Sequence, residues 1–412
     1  MANSHGHGHS HSHRHVDPVE VPTASRVVLL LLLLAIAIGA GFGMYRYWPS
    51  SSALHDVASR LQFSAPGVTF PQATVDSVDT QCPAGTQGDQ ACATFHVTLD
   101  SGKKIAVDTQ GPNARSGLVP GDTIQLMAVP DANGGATQYS FNGVSRTAPL
   151  GLLFLLFLVV VLAVAWHRGL FALIGLGIAG LVLGKFMLPA LVTGEPAVLV
   201  SLIAATAIMF AVLYLAHGPS IRTSTALAGT LGGVAVTALV AIWAVGGTRL
   251  SGVGDDQGAL LSSALPNLNF RVLLTGAVII AGLGVLNDVT ITQASAVWEL
   301  RAAGPELSRF ALFKSAMRIG RDHIASTIYT IVFAYAGAAM SVLLVLFLYN
   351  QPFNQLLGTE SIATEVVRTM CSAIGLVLAV PITTVIAALM VVGPREASRE
   401  RDLEMLPRAP LL

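Results

Sequence analysis

Residues 277–299 have the sequence AVIIAGLGVLNDVTITQASAVWE, an apolar stretch that becomes polar at Asn287 and Asp288. On one α-helix at 100° per residue, a sector of about 80° collects small residues first and polar residues after them. This sector, the Asp288 face, consists of Ala277, Ala281, Gly284, Asp288, Thr292, Ser295 and Glu299. A helix that only contacts lipid needs no such face. The pattern therefore predicts close helix contact or the wall of a hydrated path.

The composition indicates a protein that resides in a membrane. Of the 412 residues, 53% are hydrophobic and 11% are charged, and the mean hydropathy is +0.66. Soluble domains carry about 25% charged residues, so we expect an α-helical polytopic membrane protein in a lipid bilayer. The formal net charge is +0, which argues against nucleic acid as a partner.

Eight apolar segments have the length of a transmembrane helix. They are residues 27–44, 149–166, 170–188, 197–217, 225–246, 270–290, 324–349 and 367–392. The first follows Arg26 without a prompt Ala-x-Ala site, which favours an uncleaved anchor over a cleaved signal peptide. The predicted organisation is a disordered His-rich tail (1–25), an anchor helix (26–48), a β-rich domain (49–147), a seven-helix domain (148–393) and a basic tail (394–412).

The β-rich domain contains five short segments with strand character, at 68–78, 94–99, 104–108, 123–129 and 137–141. The turn sequence at 100–103, DSGK, joins two of them as a hairpin. Five short strands in one small domain predict a small β-barrel, of the OB type. Such a barrel either binds a ligand or packs on the membrane part or on a partner, and the sequence leaves both open.

The distribution of Lys and Arg predicts the orientation of the chain. With the N-terminus in the cytoplasm, every cytoplasmic loop is the more basic one, so both termini are expected inside and the β-rich domain outside. The basic residues on the cytoplasmic side are Arg168, Arg222, Arg301, Arg309, Lys314, Arg318, Arg321, Arg395, Arg399, Arg401 and Arg408.

The outside location bears on two of the three cysteines. Cys82 and Cys92 bracket a short Gly-rich segment of the β-rich domain. In an oxidising compartment they would form a disulfide, and the alternative is two free thiols. Cys371 lies in an apolar span and is expected to be a small core residue.

The N-terminal tail carries histidines at alternating positions, namely His5, His7, His9, His11, His13 and His15. Several imidazoles on a flexible tail can surround one divalent metal ion. The other interpretation is a disordered tail with adventitious metal affinity. Apart from this weak metal site, the sequence predicts no cofactor.

A second polar face follows the basic segment, where His323, Thr327, Thr330, Ala334 and Gly337 share one side of a helix. If the two helices pack together, Asp288 meets an imidazole or guanidinium near the cytoplasmic boundary, as a gate or proton relay. The alternative is an interfacial cluster that only orients the helices. The candidate residues are Asn287, Asp288, Thr292, Ser295, Glu299, Arg318, Arg321, Asp322, His323, Thr327 and Tyr335.

Two further sets of small residues predict tight helix packing. One comprises Gly229, Gly232 and Gly233, and the other comprises Ser372, Gly375, Ala379 and Thr383. Pro381 interrupts the last span and predicts a kink there.

The segment 284–296, GVLNDVTITQASA, resembles the YibE/F family of bacterial multi-span membrane proteins. The resemblance continues in RIGRDH at 318–323, in Thr327 and Thr330, and in AYAG at 334–337, and it covers most of residues 27–393. It implies a bacterial plasma-membrane protein with an external β-rich segment. It also marks motif positions without a reaction, namely Asp288, Ser295, Gly320, Arg321, Asp322 and Tyr335.

No hydrolase, metalloprotease, phosphate-loop or dinucleotide-binding motif occurs in the sequence, so we expect a protein that is not an enzyme. Two functions stay open. The first is a transporter or permease for a small solute or ion. The second is a non-transporting scaffold or assembly factor that contacts an envelope or cytoplasmic partner. The sequence predicts neither the substrate nor the oligomeric state.

Overall fold

The computed structural model describes residues 19–60, 67–80, 91–131, 136–254, 256–349 and 352–393. The chain divides into two compact units. The larger contains Met1–Leu54 and Arg168–Leu412, and the smaller is His55–His167.

Five strands of the smaller unit form one antiparallel sheet. They are β1 (Gln72–Asp79), β2 (Cys92–Leu99), β3 (Lys104–Gln110), β4 (Thr123–Val129) and β5 (Gln138–Val144). The order is β3-β2-β1-β4-β5, with β1 paired to both β2 and β4. The two edge strands β3 and β5 also contact each other, so the sheet is a near-barrel. The five predicted strands are confirmed.

Alternating side chains give this unit its own core. β4 buries Ile124, Leu126 and Ala128 on one face, and the first two belong to the same apolar cluster as Phe95 of β2. The β2–β3 turn needs Gly102, whose φ of +81° lies in the left-handed region. The smaller unit therefore buries apolar side chains without help from the helices.

The helices, in chain order, are α1 (Thr23–Arg46), α2 (Ser51–Arg60), α3 (Thr147–Leu181), α4 (Leu188–Val192), α5 (Ala197–His217), α6 (Ile221–Gly247), α7 (Asp256–Ala264), α8 (Phe270–Ala281), α9 (Leu283–Ala303), α10 (Arg309–Ala338), α11 (Met340–Tyr349), α12 (Phe353–Gly358) and α13 (Glu360–Met390). Within the described ranges, six helical segments are long and apolar enough to cross a membrane. A seventh results if α10 and α11, bent by 67°, form one span. The sequence predicted eight.

The difference arises because the predicted spans 149–166 and 170–188 lie in one helical segment, Thr147–Val192. Its α3 portion contains one non-helical residue, Trp166, with φ 49° and ψ −132°. A π-helical turn at Val182–Met187 leads into α4. At about 1.5 Å per residue the helical path of this segment is about 69 Å, roughly twice the hydrocarbon thickness. The length for two spans is present, and the kink at Trp166 divides the segment into two helices where the sequence predicts the boundary between the two spans.

Helices α6, α9 and α13 form the centre of the larger unit. Their side chains Leu227, Leu286 and Leu376 are fully buried in its main apolar cluster. α10 packs on α9 and α13, and α5 packs on α6 and α8. The N-terminal α1 lies against α5 and buries Leu29 and Leu33.

The loop after α6 is attached to the start of α13 by one carboxylate. Glu360 accepts hydrogen bonds from the backbone N–H groups of Ser251 (2.7 Å) and Gly252 (2.9 Å), and from the Ser251 hydroxyl. Gly252 has a φ of +83°, and the backbone of Phe270 leaves no room for a side chain there.

Candidate functional site

The Asp288 face lies on the outside of the larger unit. Asp288, Gly284 and Glu299 are exposed, and Thr292 and Ser295 are half-buried. The predicted single helix is divided at Gly282, which ends α8 and precedes α9. Glycine lowers the cost of such a break because its backbone is conformationally free and disfavours the helix interior.

Polar side chains of this face bond mostly within their own helix. The Thr292 hydroxyl donates to the Asp288 carbonyl (2.7 Å), and the Ser295 hydroxyl donates to the Ile291 carbonyl (2.8 Å). In contrast, the Oδ1 atom of Asn287 is buried and has no hydrogen-bond partner in the described part of the chain.

One basic side chain from another helix lies within electrostatic range of the Asp288 carboxylate. His217, the last residue of α5, lies within electrostatic range of Asp288, Arg168 and Arg222. The structure therefore places a histidine near Asp288, but it is His217 of α5. Sequence reasoning missed it because His217 is distant in the chain from the 277–337 stretch.

The second predicted face lies on α10. His323 and Thr327 are half-buried, whereas Arg321 and Asp322 are exposed. The Thr327 hydroxyl donates to the His323 carbonyl at 2.7 Å. The Arg318 guanidinium donates to the Ser315 hydroxyl at 3.4 Å.

The sequence predicted that Asp288 and His323 lie near the ends of their helices, and the structure places both further inside them. The chain turns only at residues 304–308, since α9 extends to Ala303 and α10 begins at Arg309. At about 1.5 Å per residue, Asp288 lies roughly 22 Å before the end of α9, and His323 lies roughly 21 Å after the start of α10. Much of the predicted basic linker is therefore helix.

The opposite face of α9 carries a second set of polar side chains, which is buried. The hydroxyls of Thr290 and Thr230 (α6) are 2.6 Å apart. One turn further along α9, the Gln293 amide donates to the Ala316 carbonyl of α10 (3.0 Å) and to the Thr384 hydroxyl of α13 (2.8 Å). Gln293 thus joins three helices, and its side chain is only 1% exposed.

The interface between α6 and α13 is close because glycines face hydroxyl residues. A Cβ at Gly229 would overlap Thr383, and one at Gly375 would overlap Thr237. Thr237 and Thr383 direct their hydroxyls to carbonyls of their own helices, at 2.9 and 2.7 Å. The tight packing predicted from the two small-residue sets is confirmed.

Together these residues form a buried polar seam between α6, α9, α10 and α13. We define it as Thr230, Thr237, Thr290, Gln293, Ser372, Thr383 and Thr384, all of them buried. Along α13, from Ser372 to Thr384, the seam extends about 18 Å. The Ser372 hydroxyl has no partner in the described part of the chain. The signal in the sequence was a series of hydroxyl residues beside the helix-packing glycines.

A cavity of about 250 Å³ lies beside the bend between α10 and α11, against the first half of α13. Its walls are mainly apolar, with Val342 and Met370 among them, and Tyr335, Glu365 and Thr369 contribute polar groups. Glu365 pairs with Arg368 at 3.5 Å. Tyr335 is the predicted site residue that lines this cavity.

Two predictions rest on residues that are not described. The six tail histidines from His5 to His15 and Cys82 lie outside the described ranges. Cys92 begins β2, and Cys371 is a free, buried cysteine. The same residues contain no group of three or more His, Cys, Asp or Glu that could hold a metal ion. The disulfide and the metal site stay predictions.

Long apolar helices around a buried seam of hydroxyl and amide groups define a multi-pass membrane protein that lies in a lipid bilayer. A family model described as YibE/F-like protein matches residues 153–393, more than half of the chain. The chain therefore belongs to the YibE/F family, and the resemblance expected from residues 284–337 is confirmed. No curated protein and no solved structure matches the chain.

Proposed function

We propose that this protein transports a small solute or ion, without catalysing a reaction, and that the buried polar seam is its pathway. The observation that carries the proposal is Gln293, which joins α9, α10 and α13 inside a bundle of apolar helices. Polar side chains in the interior of a membrane protein are costly and mark pathways more often than packing alone requires.

The seam is closed in this structure, and its hydrogen bonds suggest where it would open. Gln293 and Thr384 lie nearer the α9–α10 turn, and Thr237 and Ser372 lie further from it. Most seam hydroxyls bond to carbonyls of their own helices, so separating the helices leaves these bonds intact. Within the described residues, the seam's hydrogen bonds between helices are those of Gln293 and of the Thr230–Thr290 pair, and these would have to break.

In this proposal Asp288 is the gate or proton-relay group. A carboxylate within electrostatic range of His217 can exchange a proton with it, and His217 in turn lies within range of Arg168 and Arg222. We assign His323 a secondary role on α10, since its half-buried side chain lies on the adjoining helix.

We also propose that both termini lie in the cytoplasm of a bacterial cell and that the β unit lies outside, as the Lys and Arg distribution predicts. The strand order, with β3 near β5, supports an OB-type barrel.

The test is flux through the full chain in proteoliposomes. A potassium gradient with valinomycin sets the potential, a trapped pH dye reports protons, and a panel of monovalent cations, divalent metals and small amphipathic compounds is added one at a time. We expect wild-type flux for at least one compound, and Gln293→Leu to lower it by about tenfold or more because it removes a buried polar partner.

Asp288→Asn should lower the coupled proton signal, and Glu306→Gln, which changes an exposed carboxylate at the α9–α10 turn, is the matched control. The proposal fails if the wild-type protein moves nothing above empty liposomes. It also fails if folded Gln293→Leu and Asp288→Asn proteins both retain wild-type flux.

The alternative is a scaffold or assembly factor that acts through the β unit. The observation in its favour is the separate apolar core of that unit, which includes Val75, Phe95 and Ile124. Site-specific crosslinking from exposed β-strand positions should then capture one reproducible envelope protein. If the crosslinked proteins are the same from every β-strand position, this alternative is excluded.

A further inference from the structure

The last turn of α9 buries a guanidinium group. Arg301 is 4% exposed, although arginine is rarely buried without a charged partner. Its Nη1 donates to the carbonyls of Pro305 (3.0 Å) and Leu307 (2.8 Å). These two bonds hold the α9–α10 turn and fix the plane of the guanidinium.

The other edge of the same guanidinium is unused. Arg301 Nε and Nη2 are buried and have no hydrogen-bond partner in the described part of the chain. These two nitrogens present parallel N–H groups, the fork that binds two oxygens of a phosphate or carboxylate side by side. Because Nη1 is already fixed, the free fork is held in one orientation.

A second cation lies near Arg301. Arg309, the first residue of α10, is within electrostatic range of Arg301. Its Nη2 donates a long hydrogen bond, 3.4 Å, to the Val391 carbonyl. The nearby carboxylate of Glu306 is exposed.

The start of α10 adds to the positive potential. α10 is 30 residues long, begins after the N-cap Ser308 and has no acidic residue in its first turn. The N-terminus of a long helix attracts anions through its free N–H groups and its dipole. Ser308 Oγ accepts a hydrogen bond from the Ala311 N–H, at 3.1 Å.

We propose that the α9–α10 turn is a phosphate-binding site, in which the Nε–Nη2 edge of Arg301 grips two oxygens and Arg309 supplies the second positive charge. A doubly cationic site at a helix N-terminus suits a phosphate group better than a single carboxylate. The phosphate belongs either to the headgroup of an anionic phospholipid or to a soluble phosphate compound. Both fork nitrogens are covered in this structure, so the ligand enters by local opening of the turn.

The site is tested by binding, without any measurement of flux, and it stands independently of the transport proposal. The full chain is purified in detergent and titrated with phosphatidylglycerol, phosphatidylcholine and inorganic phosphate, and followed by thermal unfolding and native mass spectrometry. We expect phosphatidylglycerol or inorganic phosphate to raise the unfolding temperature, and phosphatidylcholine to have no such effect. Phosphatidylglycerol alone identifies a lipid headgroup, and stabilisation by inorganic phosphate identifies a soluble ligand.

Three variants distinguish binding by the guanidinium fork from binding by positive charge in general. Arg301→Lys keeps the charge but loses the fork, so binding should weaken by about tenfold or more. Arg309→Gln, at an exposed position where folding is not at risk, should weaken it by several fold. Arg321→Gln, which removes an exposed arginine further along α10, is the control and should bind as wild type does.

Equal binding by wild type, Arg301→Lys and Arg309→Gln would overturn the proposal. So would the absence of any stabilisation by either ligand, or an equal loss of binding in Arg321→Gln, which would show a diffuse basic surface.

Discussion

Replacing Gly375 with alanine should separate α6 from α13. A Cβ at this position would overlap the Thr237 hydroxyl and would lie 3.1 Å from Thr237 Cβ and 3.3 Å from the Gly233 carbonyl oxygen. These neighbours are helix backbone and a β-branched side chain whose hydroxyl is bonded at 2.9 Å, so little can move aside. Overpacking of this kind costs about 1–3 kcal/mol, which outweighs the gain of up to about 1 kcal/mol from alanine's helix propensity.

The assay is thermal unfolding of the detergent-purified chain. A loss of about 1–3 kcal/mol corresponds to roughly 2–12 °C for a unit of this size. Gly284→Ala is the matched control, because its added Cβ meets nothing within 4 Å. It should leave the unfolding temperature unchanged or raise it slightly.

A double-mutant cycle identifies the contact responsible. In the Thr237→Ala/Gly375→Ala protein the new methyl group occupies the space of the removed hydroxyl, so the double variant should be more stable than the sum of the single changes by about 1 kcal/mol or more. Additive effects, or a Gly375→Ala protein as stable as wild type, would refute the close approach of α6 and α13.

Three further outcomes are expected. Glu360→Ala, which removes the acceptor for the Ser251 N–H, should destabilise by about 1–3 kcal/mol and speed proteolysis in the loop after α6. If Cys82 and Cys92 form a disulfide, an alkylating reagent should modify one of the three cysteines in the denatured, unreduced protein, and all three after reduction. If Thr147–Val192 crosses the bilayer twice, a cysteine replacing Arg168 should react with an impermeant maleimide in inverted vesicles but not in intact cells.

Which residues share a helix face was predictable from the sequence. Whether each face lies on the outside of the helix bundle or in its interior was not. Asp288, Thr292 and Ser295 do share a face, because 100° per residue is a property of any α-helix. In a soluble helix that polar face would be the outer one, whereas in a membrane protein polar residues can face inward, so the sequence alone could not decide. Gln293 was overlooked because its importance comes from Ala316 and Thr384, which no local pattern connects to it.

The span count shows a similar limit. Hydropathy identifies lengths of apolar chain, but it does not show whether the chain turns between two of them. The predicted spans 149–166 and 170–188 require a turn between them, and the structure has a kink at Trp166 with helix on both sides of it. In contrast, the β-hairpin at 100–103 was predictable because its turn is set by Gly102 and its immediate neighbours.

The two polar faces of α9 place different demands on a transport mechanism. The Asp288 face is exposed on the outside of the larger unit, so no helix has to move to uncover it. The seam on the other face is sealed where Gln293 meets Thr384, and opening it requires α13 to move. Pro381 lies three residues before Thr384 inside α13 and cannot donate the usual helix hydrogen bond. A bend at Pro381 would therefore release Thr384 from Gln293 at lower cost than a bend elsewhere. The Gly375–Thr237 contact lies before Pro381 in α13, so it would stay in place as the fixed point of the movement.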